Sequence, residues 1–213
     1  MIYDVSSSSV RASVVVVQRG PQLTPADWQE LVSVLPWTER HRIDELHHWE
    51  DRQDSAIGWH LLHQLAGERG VRVRRGANGR PCSDPPVDVS LSHGGGWIAA
   101  AACGTGRTGI DVETLRDVAP SLARRCLSAA ESAWLERARP GVHRSYRFLR
   151  LWTAKEAYLK ATGVGLAADP REISIDHTGD EPQLLGSAAG CWRFSSSTPA
   201  PGVCVSMCVE CAL

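Results

Sequence analysis

Lysine is nearly absent from this 213-residue chain, in which Lys155 and Lys160 stand against 21 arginines. Both lysines fall in the segment 152–160, WTAKEAYLK, on either side of Glu156. If this segment is helical, Glu156 and Lys160 lie on one face, since they are four residues apart. Two interpretations are open at this point. The residues form a surface ion pair that supports a helix, or an acid and an ammonium group that face the same phosphate or metal.

Other absences narrow the class of protein. No apolar run approaches the roughly 20 residues of a membrane helix, and the N-terminal segment lacks the basic region and cleavage site of a signal peptide. The formal net charge of −1 argues against a nucleic-acid partner. Seven cysteines, an odd number, indicate reduced thiols. We therefore expect a cytoplasmic protein that binds neither membranes nor nucleic acid.

Three cysteines near the C-terminus invite a zinc assignment. Cys204, Cys208 and Cys211 lack the paired C-x-x-C spacing of zinc sites and have no evident fourth ligand. Cys204 and Cys208 also fall in the alternating run 203–209, which is typical of a strand. We expect small buried side chains there.

Alternating helical and strand patterns predict an α+β fold with few regular βαβ units. The predicted strands cover 12–18, 72–74, 87–91, 97–103, 108–112, 172–175, 191–194 and 203–209. The predicted helices begin near Thr24 and near Ser128, and cover about 51–65 and 143–161. A glycine turn at 104–106 divides the chain into halves of similar element order, 1–104 and 105–213.

Two carboxylates in the segment 109–113, GIDVE, are candidate metal ligands. On a strand, Asp111 and Glu113 project from the same face, because side chains alternate with a period of two. Oxygen ligands of this kind favour Mg²⁺ or Mn²⁺. An exposed polar strand face is the plain alternative. The third carboxylate, Glu156 between two lysines, favours a site for a metal-bridged pyrophosphate.

Ser92 and His93, followed by Gly94, form a second candidate site after the strand predicted over 87–91. A hydroxyl, an imidazole and glycine backbone N–H groups can all donate hydrogen bonds to phosphate. A nucleophilic triad is the competing interpretation, but no nucleophile-elbow pattern surrounds Ser92. No Walker-type phosphate loop or dinucleotide fingerprint is present either.

Together these segments resemble the 4′-phosphopantetheinyl transferases of the surfactin-type, single-chain branch. The resemblance rests on four ordered segments: 79–81 (GRP), 90–93 (SLSH), 109–113 (GIDVE) and 152–160 (WTAKEAYLK), the last extended by 163–166 (GVGL). It implies two similar α/β-sandwich halves that form a pseudodimer, with the active site in the cleft between them. The chain would act as a monomer.

The resemblance also implies an activity: transfer of the 4′-phosphopantetheine arm of coenzyme A to a serine of an acyl, peptidyl or aryl carrier protein, with release of 3′,5′-ADP. Asp111, Glu113 and Glu156 would hold Mg²⁺, with Mn²⁺ as an alternative. The implied catalytic residues are Glu156, Lys160 and His93. The implied coenzyme-binding residues are Arg80, Ser92, His93, Lys155, Lys160, Arg42 and Ser55.

The match is weaker in the first half of the chain. The family commonly has a basic residue before a Ser or Thr on a helix of this half, whereas here Asp54 precedes Ser55. Arg40, Arg42 or Arg52 could supply the missing charge. In the second half, the acid-free basic stretch 137–150 is a candidate docking surface for the carrier, as are Arg124 and Arg125. A non-catalytic carrier- or coenzyme-binding protein and a metal-dependent phosphohydrolase are the alternative functions.

Overall fold

The computed structural model describes residues 2–7, 10–77, 79–165, 168–179, 181–186 and 191–211. The strands are β1 (Ile2–Ser7), β2 (Val10–Gln18), β3 (Val73–Arg75), β4 (Pro81–Ser83), β5 (Asp88–Gly94), β6 (Trp97–Cys103), β7 (Thr108–Thr114), β8 (Ser174–Asp176), β9 (Gln183–Leu185), β10 (Trp192–Ser197) and β11 (Val203–Glu210). The helices are α1 (Pro25–Ser33), α2 (Trp37–Asp44), α3 (Trp49–Gly67), α4 (Pro120–Cys126), α5 (Ala129–Glu136) and α6 (Val142–Thr162), with a 3-10 turn at Pro170–Glu172.

In this described part of the chain, two larger antiparallel sheets form the centre of a mixed α and β fold. The first has the order β1-β2-β6-β5 and the second the order β10-β11-β7. Every strand of the first sheet precedes the 104–106 turn and every strand of the second follows it. Each part of the chain also holds one two-stranded sheet, β3-β4 and β8-β9, and one long helix, α3 and α6.

The hydrophobic residues form three clusters that order these elements into layers. One cluster lies between the helices α1–α3 and the first sheet, and another between α6 and the second sheet. The third lies between the two sheets and combines β2 and β6 side chains with those of β7 and β11: Val14, Val16, Ala99, Ala101, Ile110, Val112, Val205 and Met207. The order is therefore helix, sheet, sheet, helix.

Strands β5 and β7 meet at the junction of the two sheets through side chains. Asp88 Oδ2 accepts a hydrogen bond from Thr108 N at 2.8 Å, and Ser90 Oγ accepts one from Ile110 N at 3.0 Å. The partners advance together along both strands, so β5 and β7 run in the same direction. The carboxyl ends of the two strands consequently lie side by side.

Gly109 brings α6 onto the second sheet. A Cβ atom at this position would lie 1.9 Å from Ala157 O and 2.6 Å from Ala161 N. No side chain fits there, because such distances are far below van der Waals contact. The glycine of the GIDVE segment is therefore what allows the WTAKEAYLK helix to approach β7.

Most predicted elements are confirmed, including the Thr24 cap of α1, the Ser128 capping box of α5 and the buried cysteines of β11. Two boundaries were wrong. Strand β5 runs through Gly94, so Ser92 and His93 lie on the strand itself. The segment predicted as a strand over 172–175 begins with the 3-10 turn, because Asp169 caps Arg171 N and Pro170 starts the turn. Leu166, at the end of the GVGL segment, lies outside the described residues.

No helix in the described ranges is long and apolar enough to cross a membrane.

Candidate active site

Strand β7 presents its two acids beside the end of β5. Ile110 and Val112 are buried between the sheets, with 0% and 1% exposure, while Asp111 and Glu113 project to the opposite face. That face packs against α6, which carries Glu156 and Lys160. The predicted convergence of these three acids and one lysine on one region follows from this packing.

Lys160 joins the three motifs through its ammonium group. Nζ lies 2.7 Å from Asp111 Oδ1, 2.8 Å from Ser92 Oγ and 3.1 Å from Ile110 O. Ser92 Oγ in turn donates a hydrogen bond to Asp111 Oδ1 at 2.7 Å. We call Ser92, Asp111 and Lys160 the lysine cluster. It combines β5, β7 and α6, whose residues are far apart in the sequence.

Glu113 and Glu156 lie close enough to this cluster to feel its charges. Burial raises the pKa of Glu156, the negative charge of Asp111 raises it further, and Lys160 opposes both effects. Burial likewise raises the pKa of Glu113, again with a contribution from Asp111, while Arg116 and a Trp152 hydrogen bond oppose the rise. The site therefore holds more negative charge than its own cations neutralise.

This excess of carboxylate fits a divalent cation in its chemistry. Asp111 Oδ2 is buried and has no hydrogen-bond partner among the described residues. A buried acceptor of this kind is costly unless a cation or donor approaches it. Within the described ranges, however, no three acidic, histidine or cysteine side chains are already arranged to ligate a metal ion. Metal binding would require the Glu113 or Glu156 side chain to turn toward Asp111.

The glycines after His93 allow the turn at the end of β5 to lie directly against β7. A Cβ atom on Gly94 would lie 2.9 Å from Val112 O and 3.5 Å from Glu113 Oε2. Gly95 has a φ of 59°, and a Cβ there would meet the Thr114 side chain. The turn can therefore approach Glu113 only because both residues lack side chains. His93 itself is exposed beside this turn.

Comparison with known proteins identifies the family. The model of the 4′-phosphopantetheinyl transferase superfamily matches residues 107–208. The 4′-phosphopantetheinyl transferase HetI of Nostoc sp. strain PCC 7120 is 32% identical over 184 residues, which cover 80% of this chain and 76% of HetI. The chain belongs to the 4′-phosphopantetheinyl transferase family.

A second relative agrees with the predicted branch. The transferase Sfp of Bacillus subtilis strain 168 is 24% identical over 161 residues, 72% of this chain and 71% of Sfp. Among solved structures, a Bacillus anthracis holo-(acyl-carrier-protein) synthase in complex with CoA (3′,5′-ADP) matches at a TM-score of 0.44 and 24% identity, over 50% of this chain and 96% of that one.

Lys155 of this transferase is not brought to the site. Its side chain is fully buried, and Nζ contacts Glu131 Oε2 at 2.5 Å, Pro170 O at 2.7 Å and Cys126 O at 2.9 Å. The ammonium group of Lys155 is closed off from solvent, whereas the side chain of Lys160 is 28% exposed. The position contradicts the predicted contact with coenzyme A and indicates that Lys155 ties α6 to the segments on its far side.

Arg80, a further predicted residue of the transferase, lies at the opposite end of β5 from Ser92. Arg80 Nη2 donates to Asp88 Oδ2 at 2.8 Å and to Thr108 O at 3.0 Å, at the start of β5 and β7. Asp88 and Ser92 are four residues apart, roughly 13 Å along a strand. Arg42 is exposed on α2, and Ser55 is half-buried on α3.

Sequence reasoning missed Arg19, which lies directly after β2. Its Nη1 donates to Asp54 Oδ2 at 3.0 Å, and its guanidinium lies 5.2 Å from the centre of the Trp49 ring. Asp54 is 4% exposed and also feels the charge of His93. The acid at the position where a cation was expected therefore holds an arginine from another element. The sequence signal that could have indicated Arg19 was a basic residue at the end of the predicted strand 12–18. In the structure this residue lies next to the turn at Gly96.

Proposed function

We propose that this chain transfers the 4′-phosphopantetheine arm of coenzyme A to a serine of an apo acyl, peptidyl or aryl carrier protein. The serine oxygen forms a bond to the β-phosphorus of the coenzyme, and the bond between that phosphorus and the bridging oxygen of the pyrophosphate breaks. The products are the holo carrier and 3′,5′-ADP. Membership of the transferase family supports the reaction, and the lysine cluster supports its location.

Glu156 is the proposed base that takes the serine proton. An ordinary glutamate is too weak a base for a hydroxyl group, but in the protein without metal burial and the neighbouring Asp111 raise the pKa of Glu156, while Lys160 lowers it. A higher pKa makes the carboxylate a better proton acceptor near neutral pH. Coenzyme A is an extended molecule, so its reactive phosphate can lie at Glu156 while its adenosine end binds at another part of the protein.

Lys160 is the proposed group that stabilises the departing phosphate. The ammonium group is fixed by Ser92, Asp111 and the Ile110 carbonyl, so it needs no reorganisation during the reaction. A preorganised charge of this type stabilises negative charge that develops on a leaving oxygen. Ser92 and exposed His93 complete the phosphate-facing end of β5.

Asp111, Glu113 and Glu156 are the proposed ligands of Mg²⁺, with Mn²⁺ as an alternative. When bound, such a cation neutralises pyrophosphate oxygens and supplies Lewis acidity. The unpartnered, buried Asp111 Oδ2 supports this assignment.

Arg19 is the proposed partner of the coenzyme's 3′-phosphate, together with His93. The guanidinium of Arg19 contacts Asp54 and Trp49, yet its side chain is still 20% exposed. We favour Arg19 over Arg80 because Arg19 lies against the turn at Gly96, near His93, whereas Arg80 lies at the opposite end of β5. Arg19 would thus replace the basic residue that the sequence lacks at Asp54.

The two parts of the chain are proposed to be the halves of a pseudodimer, 1–104 and 105–213. Their matching inventories, each with one larger sheet, one two-stranded sheet and one long helix, support this division. Because a single chain then contributes both halves of the site, we propose a monomer. Coenzyme A and seven free thiols suit the cytoplasm.

One observation carries this function: Lys160 Nζ is in contact with both Ser92 and Asp111, so three of the four family segments meet at one place. The test is mass spectrometry of an apo carrier incubated with coenzyme A and Mg²⁺. A mass gain of one phosphopantetheine supports the transferase. Binding without a mass change indicates a silent binding protein, and equal release of 3′,5′-ADP without any carrier indicates a phosphohydrolase.

A further inference from the structure

Two cysteines face each other at the end of the second sheet. The pairing of β10 with β11 sets Trp192 opposite Glu210, so the next residues outward, Cys191 and Cys211, are neighbours across the two strands. Cys211 N donates a hydrogen bond to Cys191 O at 2.7 Å, which continues the ladder by one step. We call Cys191 and Cys211 the thiol pair. The strand pairing therefore places two thiols side by side.

The side chains of the thiol pair share one face of the sheet and are in contact. Residues directly opposite each other on antiparallel strands project to the same side, and the two thiol groups share a hydrogen bond. Such residues have Cα atoms about 4.5–5.5 Å apart, and a disulfide needs a Cα separation of about 4.4–6.8 Å. The strand pairing alone thus supplies a separation at which a disulfide can form.

The thiol pair is also open to solvent, unlike most cysteines of this chain. Cys191 is exposed and Cys211 is half-buried. Four other cysteines are buried: Cys103, Cys126, Cys204 and Cys208. The remaining one, Cys82, is half-buried on β4, where its Sγ donates to Arg74 O at 3.4 Å. An oxidant in solution can therefore reach both members of the thiol pair.

The surroundings of the thiol pair give its members different roles. Burial raises the pKa of Cys211, the hydrogen bond and charge of Cys191 raise it further, and the positive charge of Arg193 opposes the rise. The thiolate is the reactive form of cysteine, so Cys211 is the less reactive partner. Cys191, which is exposed, meets an oxidant first, and Cys211 lies in contact with it to complete the reaction.

We propose that the thiol pair is a site of reversible oxidation that takes a two-electron oxidant of the peroxide class and forms a disulfide between Cys191 and Cys211. With hydrogen peroxide, Cys191 Sγ attacks one oxygen and the O–O bond breaks, which gives a sulfenic acid and one water. Cys211 Sγ then forms the S–S bond and displaces the sulfenic hydroxyl as a second water. Two electrons pass from sulfur to peroxide, and both thiol protons leave in the waters.

The disulfide fastens β10 to the end of β11. β10 is the outer strand of its sheet, and a cross-link restricts the unfolded chain, so the oxidised protein is the more stable form. The thiol pair lies beyond Val209, which is opposite Thr108 at the start of β7, whereas Glu113 lies near the other end of that strand. Oxidation should therefore leave the transferase site unchanged, and the proposal does not depend on the transferase function.

The test treats the purified protein with hydrogen peroxide, alkylates the remaining thiols and digests the product with trypsin. Trypsin cuts after Arg193, so Cys191 and Cys211 fall on separate peptides unless a disulfide joins them. Wild type should give the linked peptides, and dithiothreitol should separate them. Cys191→Ser and Cys211→Ser should give no link, whereas the control Cys82→Ser should behave as wild type. Linkage should raise the unfolding temperature by about 5–10 °C.

Other products would overturn the proposal. Cys191 recovered as a sulfinic acid, with Cys211 still free, would make it a single reactive thiol. A link from Cys191 to Cys82 or to a second copy of the chain would show that exposure selects the partner. Failure of peroxide to oxidise either thiol, although both are alkylated readily in the folded protein, would remove the site. An unchanged unfolding temperature in the linked protein would contradict the fastening of β10.

Discussion

Lys160 Nζ lies 2.7 Å from Asp111 Oδ1, a contact between residues 49 positions apart in the sequence. The same nitrogen also donates hydrogen bonds to Ser92 Oγ and Ile110 O, so three acceptors hold it in place. The second oxygen of its partner Asp111, Oδ2, has no hydrogen bond from any residue that the structure describes. One carboxylate thus positions the lysine with one oxygen and leaves the other for a cation.

Lys160→Arg is expected to lower kcat strongly even though the charge is kept. The three acceptors surround a compact ammonium group, and a planar guanidinium cannot present its donors to all of them. We predict a loss of at least about tenfold in kcat, as for other preorganised transition-state donors. Steady-state kinetics with saturating carrier and coenzyme A measures it. Near wild-type kcat would show that Lys160 acts by charge alone.

Lys155→Met is expected to destabilise the fold without removing activity from the molecules that remain folded. It leaves Glu131 buried without its cation, and breaking a buried pair in this way costs about 3–5 kcal/mol. The double variant Lys155→Met/Glu131→Gln should recover part of that loss. Urea unfolding gives the stability, and kcat per folded molecule gives the activity. Normal stability with a raised KM for coenzyme A would instead restore the coenzyme-binding role of Lys155.

Arg19→Gln is expected to reduce the enzyme's preference for coenzyme A over 3′-dephospho-coenzyme A. Losing one charge-assisted contact should lower kcat/KM for coenzyme A by about ten- to a hundredfold. The value for the dephosphorylated substrate should change little. Arg107→Gln is the matched control, because Arg107 pairs with Glu210 on an exposed edge. Equal losses on both substrates would assign Arg19 to the pyrophosphate.

His177 is expected to make the folded state sensitive to mild acid. Burial, aided by the charge of Arg150, lowers the pKa of His177 from 6.5 to about 4. The unfolded chain then binds more protons between these pH values, so stability rises with pH through this window and is lost on acidification. The loss is of the order of 3 kcal/mol. Asp176 opposes the shift slightly.

Urea unfolding of His177→Gln between pH 4 and pH 7 measures this contribution. The difference in unfolding free energy between wild type and variant should shrink as the pH falls. His47→Gln, at an exposed position, is the control for removal of a surface imidazole. A constant difference for His177→Gln would show that the imidazole is not desolvated.

The central elements were predictable because their signals are local. The alternation in GIDVE placed Asp111 and Glu113 on one face, and Gly109 in the same segment permits the contact with α6. The spacing of Glu156 and Lys160 placed both on one helix. What these patterns cannot show is the contact of β5 with β7, in which backbone N–H groups of β7 donate to side chains of β5. This contact brings Ser92 to Lys160.

Lys155 shows why the remaining site residues could not be read from the sequence. Lys155 and Lys160 flank the same acid, but a helix turns by about 100° per residue. One lysine therefore faces Glu131 in the interior and the other faces Asp111 at the site. Likewise Asp54 stands where the family has a basic residue, and its partner Arg19 lies 35 residues earlier in the chain.

The requirement for the three carboxylates is tested most directly by single-turnover transfer to an apo carrier, followed by mass spectrometry over a Mg²⁺ series. Wild type should transfer only with the metal, whereas Asp111→Ala and Glu156→Gln should abolish transfer in protein that still folds. Glu172→Gln, an exposed acid, is the control and should behave as wild type. Near-normal transfer by either site variant, or metal-independent transfer by wild type, would contradict the assignment of Asp111, Glu113 and Glu156.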